Sequence, residues 1–403
     1  MQSIKSEFPI FENARKEGRS LIFLDNASTT QKPQCVIDAI SGFYTGYYAN
    51  VGRGLYWPAT IASASYDQSR EKVRAFIGAS SKKEVVFTSG TTDAVNKVVN
   101  SFLLPQLEQG DEVLVSEMEH HSNFVPWQQA CQSKGAQLKV IPLDAELNLD
   151  LSELASMLTD NVKILAITAI SNTLGVKNDL KKIIKLAHQH NVKVFVDAAQ
   201  LPLSEKIDVQ EMDCDFLAFS GHKVFGPTGI GVLYGKQGLF DKMSPLAYGG
   251  GMVQQVSVDK TIMADLPSKH EAGTPNIAGA IGLAAAIDFV NSVGVEEIGR
   301  HSAELRKYAV ECLSEIEGLT LLAKDAEGTA ILSFTVEGIH PHDIAAFLAE
   351  KGIAVRAGHH CTHPLIQKLD IAGTVRISFS IYNSEEEVDL LKNTLDEIRS
   401  FFL

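Results

Sequence analysis

The chain has 403 residues, 45% of them hydrophobic, and its 49 acidic and 36 basic side chains give a formal charge of -13. That length suggests two domains, the apolar content rules out a disordered chain, and the charge has the wrong sign for tracking a phosphate backbone or an anionic membrane. No nucleic acid and no membrane are therefore expected as partners.

The N-terminal stretch carries Lys5, Glu7, Glu12, Lys16 and Glu17 where a signal peptide would be apolar, so a cytoplasmic location is expected. From Glu84 to Lys236, short apolar runs read as buried strands: Val85 to Thr88, Glu112 to Val115, Leu138 to Leu143, Val162 to Ile170, Val192 to Val196, Phe216 to Phe219 and Gly231 to Tyr234. Helical patterns such as Leu180 to Gln189 lie between several of them. The alternation predicts an α/β fold with a mostly parallel sheet, right-handed crossovers and sites at the strand C-terminal ends. Beyond Gly273 the pattern predicts helices over Ile277 to Val293 and Val295 to Ile316, then a strand from Ala330 to Thr335. A helix from Asp343 to Lys351, a loop around Gly358 to Pro364, a strand from Thr374 to Phe379 and a terminal helix from Glu385 to Phe402 follow. The expected division is a large domain over 21–281 and a smaller α+β domain made of 1–20 and 282–403.

Six segments carry candidate chemistry. Ser220-Gly-His222-Lys223 ends an apolar strand and precedes a glycine-rich stretch, so Lys223 is placed to meet a ligand, and burial would give it the neutral amine that a Schiff base with an aldehyde cofactor needs. A surface lysine is the plainer account of that motif alone. Asp197 ends the run Val194-Phe-Val-Asp and suits a protonated pyridine nitrogen or a helix N-cap. Ser89-Gly-Thr91-Thr92 lies between a strand and a helix, as a phosphate cradle or a capping turn would. Glu119-His120-His121 and Ser171-Asn172 also follow strands, and an imidazole there could stack on a planar ring or move protons.

The fifth segment is Arg356-Ala-Gly-His359-His360-Cys361-Thr-His363-Pro, a cysteine among polar and glycine residues. A free thiol, with a pKa of about 8.5, is only slightly ionised at neutral pH, so nearby imidazoles or Arg356 could raise its reactivity. A zinc site from His359, Cys361 and His363 would crowd its ligands into five residues and need a remote fourth, so no metal is expected. Cys35, Cys131, Cys214 and Cys312 read as buried packing residues without CxxC spacing. Last, Arg376 lies inside a strand, where a substrate carboxylate or an internal salt bridge would satisfy it.

Taken in order, Leu24-Asp-Asn-Ala-Ser-Thr-Thr30, Ser89-Gly-Thr-Thr92, Glu119-His-His121, Ser171-Asn172, Asp197-Ala-Ala-Gln200, Ser220-Gly-His-Lys223, Glu271-Ala-Gly-Thr-Pro-Asn276 and Arg356-Ala-Gly-His-His-Cys361 span nearly the whole chain. The sequence thereby resembles the class V aminotransferase family of pyridoxal-phosphate enzymes and, within it, the SufS-like (group II) cysteine desulfurases and selenocysteine lyases. The resemblance implies fold type I of the PLP-dependent transferases, pyridoxal 5'-phosphate as cofactor and conversion of L-cysteine to L-alanine with a persulfide on Cys361, supplying iron-sulfur cluster assembly. Lys223 would attach the cofactor, Asp197 hold its pyridine nitrogen, His120 stack on its ring and Gln200 bond its phenolic oxygen. Thr91, Thr92, Ser220 and His222 would hold the phosphate, with Thr274 reaching in from a second subunit of a homodimer. Asn172, Arg356 and Arg376 would position the substrate, Arg376 taking its carboxylate. A small sulfur-acceptor protein of the SufE or SufU type is the implied partner.

Two departures from the family pattern stand out. Gly52-Arg53-Gly54-Leu55-Tyr56 replaces a stretch that usually carries two histidines, and Thr362-His363 follows the cysteine where a small residue and methionine or glutamine are commoner. His363 is expected to perturb the thiol. L-selenocysteine is an alternative substrate, and aminotransferases or epimerases on this fold would keep Lys223 and Asp197 without requiring Cys361.

Overall fold

The computed structural model describes residues 2–326 and 328–402. Its centre is a seven-stranded sheet in the spatial order Val85–Thr88, Gly231–Gly235, Phe216–Ser220, Lys193–Asp197, Val162–Thr168, Glu112–Ser116 and Gln137–Ile141. The last five strands in that order run parallel, and the first six are buried almost throughout because helices cover both faces. Gly231–Gly235 is the exception in direction, pairing antiparallel with both Phe216–Ser220 and Val85–Thr88. The connection from Ser220 to Gly231 is too short for a crossover helix, so the chain must double back.

The apolar runs locate all seven strands, with ends displaced by a few residues. The expected strand to Leu143 stops at Ile141 because Pro142 has no N–H to continue the ladder. Two separate apolar clusters pack on the sheet. Trp127, Phe195 and Phe216 belong to one, while Leu165, Val194 and Phe219 belong to the other. Neighbouring residues on one strand point to opposite faces, which explains the division.

A second sheet is antiparallel throughout, in the order Leu319–Leu322, Ile331–Val336, Thr374–Ser378 and Arg356–Gly358. It has its own core, with Leu305, Phe334, Ile377 and Leu391 among its members. Ile22–Phe23 pairs with Ile353–Ala354 beside this core, and Asp25 bridges to Ser378 before the chain turns toward the large sheet. The expected division at 281/282 falls within the continuous helix Ile277–Val293, which packs on the helices Gln34–Gly46 and Trp57–Phe76. That packing also accounts for its apolar composition. Among the described residues, no single helix is long and apolar enough to cross a membrane.

Cys131 and Cys214 are buried and Cys312 is partly so, in keeping with packing roles, but Cys35 is exposed. It occupies the outer side of a helix whose buried positions are Val36 and Phe43.

Candidate active site

The C-terminal ends of the parallel strands converge on a cavity lined by Thr91, Thr92, His120, Asn172, Asp197, Gln200, Ser220, His222, Lys223, Arg356 and Arg376, with Ser28, Ser122 and His360. Residues far apart in the chain meet there because every parallel strand ends on the same side.

Lys223 closes the short 3-10 turn Gly221–Lys223 after the strand Phe216–Ser220. Glycine is needed at 221, since a Cβ would lie 2.9 Å from Ile230 Cγ2. Burial pushes the Lys223 ammonium down to about 8 against the attraction of Asp197, with Arg376 and Arg356 adding to the push. A neutral amine is then within reach near neutral pH, and it is the form that attacks an aldehyde. Asp197 is buried at the end of its strand and accepts a hydrogen bond from the Ala199 amide at 2.9 Å. Burial raises its carboxyl above the ordinary range, opposed by that amide and by Lys223.

His120 is held neutral: burial first, then the charges of Lys223 and His121, bring it down to about 3. Its Nδ1 accepts from the Ser122 amide at 3.1 Å, so the ring proton sits on Nε2. Behind it, the buried Glu119 accepts from the Thr168 amide, the Ser116 hydroxyl and Asn123 Nδ2, fixing the turn that presents the imidazole.

At the far end, Gly90 precedes the helix Thr91–Val98 with φ of +155° and, as its N-cap residue, offers the helix amides no side chain of its own. Gly231 passes so close that a Cβ there would lie 2.5 Å from Gly90 Cα. The Thr91 amide donates to Ser220 Oγ at 2.9 Å, Thr92 Oγ1 lies 2.7 Å from Ser122 Oγ, and His222 Nδ1 lies 3.1 Å from Thr29 Oγ1. Gln200 Nε2 donates to the Ala27 carbonyl at 2.9 Å.

On the opposite wall, Arg376 is buried in its strand. Its Nη1 donates to the Asn172 carbonyl at 2.9 Å, and its Nη2 to Ser28 Oγ and Asp25 Oδ1 at 2.8 and 3.1 Å. Its Nε is buried without a hydrogen-bond partner among the described residues. Both accounts of this arginine offered by the sequence thus have a footing: an internal ion pair with Asp25, and a donor still to be satisfied. Asp25 and Ser28 were not singled out for this role, because their pairing with Arg376 depends on contacts some 350 residues apart in the chain.

Cys361 lies in an adjoining cavity with His340, His342, His359 and His363, and Arg356 and His360 line both cavities. The loop is anchored on each side. The His121 amide donates to the Cys361 carbonyl at 2.8 Å, Asn172 Nδ2 donates to the His360 carbonyl at 2.8 Å, and Thr362 Oγ1 lies 2.9 Å from Thr173 Oγ1. His360 and Cys361 both have left-handed backbones, with φ of +49° and +59°. Two consecutive non-glycine residues in that region are held by tertiary contacts rather than by local preference. The thiol's neighbour is Arg356, whose Nη2 is 3.7 Å from Sγ, while the His363 ring turns toward His121 and His359.

Thr274 stands apart. It is exposed, lies 3.3 Å from Asn50 Nδ2, and lines a separate cavity with Gly52, Arg53 and Tyr56. No group of three or more His, Cys, Asp or Glu residues among the described residues is placed to hold a metal ion.

A family model described as aminotransferase class-V matches residues 22–391. A probable cysteine desulfurase of Halalkalibacterium halodurans is 45% identical over 399 residues, covering 99% of this chain and 98% of that protein. A probable cysteine desulfurase of Vibrio cholerae is 43% identical, covering 97% of this chain and 96% of its own. Among solved structures, the Escherichia coli cysteine desulfurase in its S-sulfonic acid form superposes with a TM-score of 0.92 at 39% identity, over 100% of this chain and 98% of that one. The apo cysteine desulfurase of Thermococcus onnurineus gives 0.93 at 38% identity, over 98% and 97%.

Proposed function

The chain belongs to the aminotransferase class-V family, and from that premise we propose that it is a pyridoxal 5'-phosphate-dependent cysteine desulfurase, converting L-cysteine to L-alanine and leaving the sulfur on Cys361. One observation carries the reading: Lys223 and Cys361 occupy adjoining cavities that share Arg356 and His360 as a wall.

The residues present fit the cofactor. An amine of lowered basicity stands near a buried carboxylate, and at the other end of the cavity a helix N-terminus with a glycine N-cap stands beside the Thr91, Thr92 and Ser220 hydroxyl groups. When bound, pyridoxal phosphate supplies an electron sink for charge developing on the amino acid. Lys223 would attach it and move protons. Asp197 would hold its ring nitrogen, His120 lie against its ring as a neutral imidazole, and Gln200 meet its phenolic oxygen. Thr91, Thr92, Ser220 and His222 would hold its phosphate. Asn172, Arg356 and Arg376 would orient the substrate, with the unpartnered Arg376 Nε as one donor toward its carboxylate.

The Cys361 thiolate then forms a bond to the substrate sulfur as the Cβ–S bond breaks. The electron pair of that bond passes to the carbon skeleton, which takes up protons and leaves as alanine. Arg356 lines both cavities and sets its Nη2 3.7 Å from the Cys361 sulfur.

On purified protein incubated with L-cysteine, Lys223→Ala is expected to abolish the cofactor's protein-bound visible absorbance, and Cys361→Ala to retain it while sulfide release stops. Normal sulfide release by the Cys361 variant would refute the assignment.

The reading extends to a homodimer in which Thr274 serves the neighbouring subunit, a cytoplasmic location, delivery to iron-sulfur cluster assembly and a small acceptor of the SufE or SufU type. L-selenocysteine fits the same chemistry. The helix Ile277–Val293 would connect the two domains, 21–281 and 1–20 with 282–403. Persulfide transfer from Cys361 to purified candidate acceptors would identify the partner.

A further inference from the structure

Three imidazoles stand in a line against the cysteine loop. His121 follows the strand Glu112–Ser116, His359 precedes Cys361, and His363 opens the helix His363–Lys368. His363 Nδ1 is 3.1 Å from His121 Nε2, and His363 Nε2 is 2.9 Å from His359 Nδ1. The His121 and His363 rings stack with centroids 4.8 Å apart, and His359 meets His363 edge-on at 4.4 Å.

Two backbone groups fix the ends. The His363 amide donates to His121 Nε2 at 3.1 Å, so that nitrogen is bare, and the Ala372 carbonyl lies 3.1 Å from His359 Nε2, so that nitrogen carries a proton. Proton counting then decides the middle ring. With three neutral rings, His359 spends its one proton on Ala372 and its Nδ1 is bare. A neutral His363 has one proton for two bare nitrogens, and whichever it leaves opposes its own lone pair to another at 3.1 or 2.9 Å. One additional proton gives His363 two N–H groups, one donated to His359 Nδ1 and the other sharing the His121 Nε2 lone pair with the His363 amide. Burial and the charges of His363 and His359 hold His121 below its ordinary value, which keeps the end of the line neutral and accepting.

Other charged and titratable groups surround the line. Glu117, four residues before His121, pairs at 3.1 Å with Lys368 of the helix that His363 opens, and the His120 ring lies 6.3 Å from that of His121. His340, His342 and Arg356 share the cavity with His359 and His363, and His360 and Cys361 belong to the loop itself.

We infer that His363 is a positioning residue for sulfur transfer: with one shared proton, the His121–His363–His359 line ties the Cys361 loop to the turn His121–Asn123, and loss of that proton loosens the loop. The inference rests on Cys361 being the sulfur acceptor. Slackening would reach that residue directly, because the His121 amide also holds its carbonyl. The sign follows from linkage. The docked line holds one shared proton, whereas three detached rings hold none at high pH and three at low pH, so the tie is strongest near neutral pH and is lost both as pH rises above the imidazole range and as pH falls through it.

The test uses the cofactor-loaded protein labelled with 15N-histidine. Ring-nitrogen signals would be followed between about pH 5 and 9, together with deuterium exchange of residues 357–364. The expected result is a window around neutral pH in which both His363 nitrogens are protonated, ending on its alkaline side in one shared step. Loop exchange, corrected for its intrinsic pH dependence, should be faster by roughly two- to tenfold above the step. His363→Asn keeps a donor without a titratable proton, and His359→Gln removes the far end. Both should lose the step in loop exchange and in Cys361 alkylation, with cofactor absorbance retained.

Three rings titrating independently, or a wild-type step persisting in His363→Asn, would overturn the inference. Sulfide release by Cys361→Ala would instead overturn the desulfurase reading, and the tie would still be read from exchange and ring protonation.

Discussion

Because burial holds Lys223 down to about 8, its neutral fraction grows about tenfold per pH unit below that value and saturates above it. Uptake of pyridoxal phosphate by cofactor-stripped protein should follow the same curve, rising about tenfold from pH 6 to 7 and flattening above about 8. Stopped-flow absorbance measures this directly, and a rate flat across the range would show that the ammonium is not what limits attachment. The stability consequence has a definite sign. A base with a depressed folded pKa costs stability below about 8, and the cost fades as pH rises from there toward the unfolded value near 10.4.

Lys223, Asp197 and His120 were legible in the sequence because each follows a strand whose apolar run stops on cue, and chain direction brings those ends together. Asp25, Ser28 and Glu119 were not assigned their roles. Their importance comes from partners in three dimensions: Arg376 for the first two, and for Glu119 a set of donors that includes the Thr168 amide.

At the scale of elements, the cysteine loop is the part whose position depends most on contacts outside itself. Its two left-handed residues, His360 and Cys361, are followed by Thr362, whose buried hydroxyl donates to the His359 carbonyl at 2.9 Å and meets Thr173 Oγ1 at 2.9 Å. Thr362→Val preserves the shape and deletes both contacts, leaving a buried hydroxyl on Thr173 short of a partner. A loss of roughly 1–3 kcal/mol is expected, seen as a lower unfolding midpoint. The rate of persulfide formation on Cys361 should fall while the cofactor's absorbance is kept. If both the midpoint and the rate match the parent, Thr362 does not anchor the loop. Sequence located the loop through its glycine and polar residues, but nothing local announces two successive left-handed residues without glycine. Gly231–Gly235 is a parallel case, since its apolar run reports burial and says nothing about direction, which the short return from Ser220 imposes.

For the whole molecule, the question is whether one chain holds a complete site. Thr274 lines a cavity distinct from that of Lys223, on a segment tied down by Glu271. Arg70 grips Glu271 through two hydrogen bonds of 2.7 and 2.8 Å, and the Tyr66 hydroxyl and the Phe87 amide also bind it. A firmly held, exposed threonine that shares its cavity with the exposed Tyr56 suits a residue delivered to another subunit. Mixing two defective chains tests the arrangement. Lys223→Ala destroys its own site wherever Thr274 acts, and Thr274→Ala is expected to weaken phosphate binding. In a mixed dimer, the chain that keeps Lys223 would receive the intact Thr274 of the partner chain, so one of the two sites is whole. Equal, freely exchanging mixtures should recover about one quarter of the parent activity, since about half the dimers are mixed and each has one working site. If Thr274 serves its own chain, every site in the mixture is defective and no recovery occurs.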